Sequence, residues 1–149
     1  MTLKQQIQED VKAAMRSGDS DTTGVLRMLL SSILNKEKEG AAGTELSDQV
    51  VQGIVITEVK KRKEAKEAFE KGGRAELAAK EGAEAQILQR YLPEQLSDEE
   101  LRTIIQKAIS QAGLSNLQNI GTLMGVLMPQ VKGRADGSRV SQIVKELLS

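Results

Sequence analysis

The chain has 149 residues with 21 basic and 21 acidic side chains, and it contains neither Cys nor His. Zero net charge provides no whole-molecule field toward nucleic acid or membrane, so a polyanion site would have to be a local patch. The composition excludes disulfides, Cys/His zinc sites and histidine acid–base catalysis, and one Tyr and one Phe disfavour a single-strand RNA reader that stacks bases on aromatic rings.

The N-terminal stretch predicts an amphipathic helix. Thr2 and Gln5 have the spacing of a capping box, and apolar residues then repeat at helical spacing as far as Gly18. This polar opening is not that of a signal peptide, and no apolar run approaches the ~18 residues needed to cross a bilayer. Together with the lack of Cys, these features predict a cytoplasmic protein.

A second helix is predicted from about residues 19–21, and it carries the most apolar run in the N-terminal half. Its apolar residues are Val25, Leu26, Leu29, Leu30, Ile33 and Leu34. This run predicts the central buried helix of a bundle, with Arg27 at the surface. Residues 40–43 form a predicted loop.

Ser47 is the predicted N-cap of a long third helix. If residues 48–71 are helical, the rod is ~36 Å long. Residues 58–74 contain seven basic and four acidic side chains, which indicates a solvated helix end supported by ion pairs. Gly72 and Gly73 end this helix, and a fourth is predicted at about 74–92.

Pro93 marks the clearest boundary, because proline cannot continue a helix and restricts the residue before it. Ser97 and Glu100 then form a capping box for the next helix, which accounts for the nearby carboxylates better than Mg²⁺ binding or acid–base work. The sequence therefore predicts an N-terminal helical subdomain, residues 1–92, and a tail subdomain, residues 93–149.

Three helices are predicted in the tail. The first ends at Gly113, the second runs from Ile120 to about Met128 with Asn119 as its candidate N-cap, and the last begins near Val140. No alternation of period two is long enough for a strand. The predicted fold class is all-α, an N-terminal helical bundle followed by a three-helix tail subdomain.

The turn between the last two helices is the candidate site, and we call residues 132–139 the basic corner. Gly133 stands where a left-handed helix end is expected, Asp136 is placed to cap the next helix, and Gly137 follows it. The candidate anion-binding side chains are Lys132, Arg134, Arg139 and, further along the last helix, Lys145. Two interpretations remain at this point: a solvated corner, or one that contacts phosphate.

Four stretches are VLRMLL at 25–30, EVKKRKE at 58–64, YLPEQLSDEEL at 91–101 and MGVLMPQVKGRADG at 124–137. They resemble the YqeY family, whose domain also forms the C-terminal region of the B subunit of glutamine-dependent aminoacyl-tRNA amidotransferases. The resemblance implies an N-terminal helical subdomain and a three-helix tail. It also implies tRNA contact at the basic corner, and a family label of carbon–nitrogen ligase activity with glutamine as amido-N-donor.

The residues themselves do not favour catalysis by the isolated chain. The sequence has no Cys–His glutaminase pair, no Gly-Lys-Ser/Thr phosphate loop and no Ser-cis-Ser-Lys amidase signature, so we predict no cofactor and no metal. We expect a tRNA-associated module in which Arg134→Ala and Arg139→Ala lower RNA affinity. The alternatives are an adaptor that binds amidotransferase subunits or another protein without RNA, and an amidotransferase in its own right.

Overall fold

The computed structural model describes residues 1–41, 43–113 and 119–148. Its helices are α1 Leu3–Ser17, α2 Ser20–Lys38, α3 Asp48–Lys71, α4 Ala75–Gln89, α5 Asp98–Ala112, α6 Ile120–Val131 and α7 Gly137–Leu148. Because the described ranges contain no strand, the predicted all-α class is confirmed. The chain divides into two compact units, which we call unit 1 (Met1–Leu92) and unit 2 (Pro93–Ser149).

Local capping signals place the first two helices. The hydroxyl of Thr2 accepts the Gln5 N–H at 3.1 Å, and the Gln5 side chain accepts the Thr2 N–H at 2.9 Å, which completes the predicted capping box. Gly18 ends α1 at a φ of +76°. The carboxylate of Asp19 then accepts the Thr22 N–H at 3.1 Å and starts α2, so the chain reverses within two residues.

All four helices of unit 1 contribute to one core. Its buried members are Ile7, Val11, Val25, Leu26, Leu29, Ile33, Val51, Val55, Val59 and Leu88. The prediction of a centrally buried α2 is wrong at Leu34, which is 43% exposed. Successive helical residues are about 100° apart, so Leu34 leaves the side of α2 on which Ile33 is buried. Helix α2 therefore buries one side and presents the other to solvent.

Helix α3 has the predicted bounds, and its two halves differ in packing. Ser47 accepts the Val50 N–H at 3.3 Å as the N-cap. Buried valines follow every fourth residue as far as Val59, and none of the later residues of α3 is buried. Of the predicted loop at 40–43, Ala42 lies outside the described residues.

Ion pairs join the second half of α3 to α4. The Arg62 guanidinium lies 3.2 Å from a carboxylate oxygen of Glu81 and 2.8 Å from one of Glu84. Further pairs within α3, Lys61 with Glu58 and Lys66 with Glu70, confirm the predicted ion-paired helix end. A polar, partly exposed seam thus replaces apolar packing there.

Helix α4 ends three residues before the predicted Leu92. The chain turns at residues 90–92, and the Tyr91 hydroxyl donates a hydrogen bond to the Asp10 carboxylate at 2.6 Å. Burial, and then this bond, raise the pKa of Tyr91. The contact ties the end of unit 1 back to α1.

Unit 2 is built on the second predicted capping box. The Ser97 hydroxyl accepts the Glu100 N–H at 3.1 Å, and the Glu100 carboxylate accepts the Ser97 N–H at 3.3 Å. Gly113 ends α5 at a φ of +66°. The core of this unit is formed by Leu101, Ile105, Ala108, Leu123, Leu127, Val131, Val140, Ile143, Val144 and Leu148.

Helix α6 runs to Val131, three residues past its predicted end, with Pro129 inside its last turn. Proline has no N–H for the helical ladder and its ring crowds the carbonyl four residues earlier, yet the ladder resumes beyond it, since the Lys132 N–H reaches the Met128 carbonyl at 2.9 Å. At the other end, Asn119 holds the N-cap position without a side-chain capping hydrogen bond.

Candidate functional site

The basic corner begins with a tight turn after Val131. Gly133 has a φ of +78°, as predicted for a left-handed helix end. The N–H groups of Arg134 and Ala135 both donate to the Val131 carbonyl, at 2.8 and 3.1 Å. These bonds satisfy the free carbonyl at the helix end and fix the course of the corner backbone.

Asp136 caps the helix that follows. Its carboxylate accepts the Ser138 N–H at 3.2 Å, and its carbonyl accepts the Val140 N–H at 3.0 Å, so the predicted N-cap is confirmed. Gly137 is the first residue of α7 and has no positive φ. A Cβ there would lie 3.6 Å from the Met128 Cε, an ordinary van der Waals distance. The backbone therefore requires glycine at Gly133 and not at Gly137.

The segment before α5 lies against the corner. The Gln95 side-chain amide donates to the Gly133 carbonyl at 2.7 Å, and the Leu96 N–H donates to the Arg134 carbonyl at 2.8 Å. We call residues 95–96 the strap. Its contacts were not predicted from the sequence, because the bonded residues are 38 apart in the chain and no local pattern links them. Hydrogen bonds to the Val131 carbonyl and from the strap together fix the backbone of residues 133–135.

Arg139 is engaged inside unit 2. Its Nε donates to one oxygen of the Asp98 carboxylate at 2.9 Å and its Nη2 donates to the other, while its Nη1 donates to Gln142 at 3.0 Å. The hydrogen bond from Arg139 holds the pKa of Asp98 below its usual range, and Asp98 raises the pKa of Arg139. Arg139 therefore joins α7 to α5, and phosphate contact by it would compete with Asp98.

The other three candidate cations differ from Arg139 in having no carboxylate partner among the described residues. Lys132 and Lys145 are exposed and Arg134 is half-buried, and none of them forms an ion pair within the described part of the chain. The Ser97 hydrogen bonds lower the pKa of Glu100, and the charge of Arg134 adds to this shift. The structure therefore leaves Lys132, Arg134 and Lys145 available to an anion.

A second ion pair reinforces the α5–α7 contact. Arg102 of α5 lies 2.6 Å from the carboxylate of Glu146 on α7. Unit 2 contains six basic and six acidic residues, so its attraction for a polyanion would depend on local geometry. Among the described residues no cluster of three metal-ligating side chains occurs, and none of the described helices is apolar and long enough to cross a bilayer.

Sequence comparison decides the family. The family described as Yqey-like protein matches residues 4–148. The chain belongs to this family.

Relatives of this Yqey-like protein include fungal proteins and part of an amidotransferase. Altered inheritance of mitochondria protein 41, mitochondrial, of Pyrenophora tritici-repentis is 28% identical over 146 residues, covering 95% of this chain and 78% of the relative. An uncharacterized protein of Schizosaccharomyces pombe is 33% identical over 96 residues, covering 64% of this chain and 76% of the relative. A glutamyl-tRNA(Gln) amidotransferase subunit of Methanospirillum hungatei is 31% identical over 127 residues, covering 83% of this chain and 20% of the relative.

These matches differ in how much of each relative they cover. The Yqey-like chain spans most of the two fungal relatives and only 20% of the amidotransferase subunit. The relation to the amidotransferase is thus a relation to one segment of that subunit. The fungal name refers to mitochondria, and the cytoplasmic location of this chain stays a prediction.

Proposed function

We propose that this Yqey-like protein is a non-catalytic, tRNA-associated helical module that contacts RNA backbone through Lys132, Arg134 and Lys145. The observation that carries the proposal is the basic corner, where the exposed Lys132 and the half-buried Arg134 form no ion pair among the described residues. The exposed Lys145, further along α7, forms none there either. The 31% identity to a segment of a glutamyl-tRNA(Gln) amidotransferase subunit supports tRNA as the RNA.

The backbone of the basic corner is rigid, and this favours contact with phosphate. Two hydrogen bonds to the Val131 carbonyl and two more from the preceding strap hold the backbone that carries Lys132 and Arg134. A fixed backbone lowers the ordering cost of binding. Arg139 is a positioning residue in this proposal, because it holds α7 against α5 through Asp98.

Binding of this kind is electrostatic and therefore depends on salt. Each phosphate contact contributes about −0.9 to the log–log slope of affinity against salt on a duplex, so three contacts give about −2.7. With so few contacts and no net charge, binding is weak and needs low salt for detection.

The test is tRNA binding by the full chain across a salt series, with the Lys132→Ala/Arg134→Ala/Lys145→Ala variant beside the wild type. We expect the variant to lose affinity and most of the salt slope. The matched control is Lys63→Ala/Lys71→Ala/Lys80→Ala, which removes the same charge from exposed sites in unit 1. Arg139→Ala is kept out of the triple variant, because it would also loosen the fold.

Unchanged affinity in the triple variant, with its helical circular dichroism intact, would refute the assignment to the corner. Equal losses in the variant and the control would mean that only overall charge matters. Absence of tRNA binding at low salt would leave the adaptor alternative, with amidotransferase subunits or another protein as the partner.

A further inference from the structure

The outward side of α2 is an exposed surface that the proposed function does not use. It consists of Gly24, Arg27, Met28, Ser31, Leu34, Asn35 and Lys38, all of them exposed, and we call it the α2 face. Met28 is 57% exposed and Leu34 is 43% exposed. Six residues separate them, so they lie about 120° apart around the helix and mark the two edges of the α2 face.

Charge on the α2 face has one sign. The only carboxylate between Gly24 and Lys38 is that of Glu37, and it lies 2.9 Å from the Lys4 ammonium group. Arg27 and Lys38 form no ion pair within the described ranges. They are eleven residues apart, so the two positive charges stand about 16 Å apart along the helix, with the apolar residues between them.

Methionine–arginine contacts extend the face on both sides. The Arg27 guanidinium lies 3.4 Å from the sulfur of Met15 on α1, which is itself 52% exposed. The Arg62 guanidinium lies 3.5 Å from the sulfur of Met28. Methionine adapts to the shape of a partner. The two contacts hold the guanidinium groups of Arg27 and Arg62 beside the exposed methionine side chains.

An open cleft of about 410 Å³ borders the face where α2 meets α3. Met28 and Ser32 line it from α2, and Ala65 lines it from α3. The neighbouring Glu58 lies 3.6 Å from Lys61, and Glu81 lies 3.2 Å from Arg62, so both carboxylates at its rim are paired. These four charged residues complete the lining, so only the side of the cleft at Met28 and Ala65 offers an apolar contact to a partner.

We propose that the α2 face docks an acidic amphipathic helix of a partner protein. Apolar side chains of that helix would cover Met28 and Leu34, and carboxylates near its two ends would pair with Arg27 and Lys38. Arg27, Ser31, Leu34 and Lys38 have 4-3-4 spacing, so they lie along one line of the helix surface, with Met28 beside it. The small Ser31 lets a partner helix approach this line closely.

The exposed apolar groups favour a protein helix over an RNA backbone. Covering a thioether and a leucine side chain stabilises a complex only if the partner also has apolar groups to bury. A sugar–phosphate chain would use the two cations and leave Met28 and Leu34 in water. A contact of about four helical turns is at the small end of specific interfaces, so the complex is expected to be transient.

The probe is a synthetic helical peptide of about 18 residues, five turns, with a leucine stripe flanked by glutamates. Its matched version has lysine in place of each glutamate. We expect the full chain to bind the acidic peptide saturably, as measured by fluorescence anisotropy. Arg27→Glu/Lys38→Glu should weaken this binding at least about tenfold and create binding of the lysine peptide. Met28→Ala/Leu34→Ala should weaken it by about tenfold.

The matched control is Lys63→Glu/Lys71→Glu, which changes the charge equally at exposed positions of α3. The proposal is overturned if this control weakens binding as much as the α2 variant, or if the wild type binds both peptides equally. Displacement of the peptide by a short RNA duplex would instead assign the face to nucleic acid. A dimer in sedimentation that Arg27→Glu/Lys38→Glu dissociates would assign it to a second copy of the chain.

The outcome is independent of the proposed function. The triple variant at Lys132, Arg134 and Lys145 should keep full affinity for the acidic peptide. Arg27→Glu/Lys38→Glu should lose no more tRNA affinity than Lys63→Glu/Lys71→Glu, which changes the net charge equally. Failure of either proposal therefore leaves the other one tested.

Discussion

The Asp98–Arg139 ion pair joins the first turn of α5 to the first turn of α7, and it couples the corner to pH. Because the pKa of Asp98 is lowered in the folded chain, the pair stabilises unit 2 at pH values above the unfolded carboxyl pKa of about 3.9. This stabilisation is lost as the pH falls through the lower pKa of the folded state. We expect the protection of α7 amides from hydrogen exchange, relative to their intrinsic exchange rate at each pH, to fall below about pH 4.

Asp98→Asn should reduce that acid dependence, because the amide cannot titrate. Glu99→Gln is the matched control, since Glu99 is an exposed neighbour without an ion pair in the described part of the chain. An acid response in Asp98→Asn equal to that of the wild type would show that the pair does not govern the stability of α7.

Arg139 also shows where sequence reasoning reaches its limit. Its charge and position suggested phosphate contact, but its partner Asp98 lies 41 residues away in the chain. Asp98 was explained locally, as a carboxylate suited to a helix N-terminus. Both local explanations are physically sound, and only the packing of α7 on α5 brings the two groups together.

Gly133 and Gly137 allow the effect of backbone strain on stability to be measured separately from the effect of helix propensity. Gly133→Ala should destabilise unit 2 by about 1 kcal/mol, because a φ of +78° is strained for any residue with a Cβ. Gly137→Ala should stabilise unit 2 by about 0.5 kcal/mol, because alanine is the better helix former and the Met128 Cε leaves room for a methyl group. Urea unfolding followed by circular dichroism measures both.

The two substitutions add the same methyl group within one turn of chain, so each serves as the control for the other. Changes of the same sign and size would show that backbone strain at Gly133 does not decide the result.

Helix ends were predictable where the signal is local. The capping boxes at Thr2 and Ser97 involve residues three apart, and the structure contains both. The predicted end of α6 at Met128 follows the last residue of the apolar run, whereas the helix continues through Pro129 to Val131 and the Lys132 N–H extends the ladder. The exposure of Leu34 was also missed, since periodicity gives the apolar side of a helix but not how much of that side has a neighbour.

The described residues form two cores with no residue in common, one in each unit. Each core is composed of side chains from its own three or four helices. A unit of fewer than ~70 residues seldom has more than 3–5 kcal/mol of stability. Unit 2, the smaller one, can therefore unfold after the loss of a single core side chain. This predicts that the two units respond separately to loss of a core side chain.

Ile143 is fully buried in the core of unit 2, and Ile143→Ala should cost roughly 2–5 kcal/mol. That loss is comparable to the whole stability of the unit, so we expect roughly a third of the helical circular dichroism to disappear under native conditions. Tyr91 is the only tyrosine and belongs to unit 1, so its fluorescence should stay that of the folded chain. Leu29→Ala in the core of unit 1 is the mirror experiment, and it should change the Tyr91 signal while α7 amides stay protected from exchange. Simultaneous loss of both signals in either variant would contradict the prediction and would mean that the two units fold as one cooperative body.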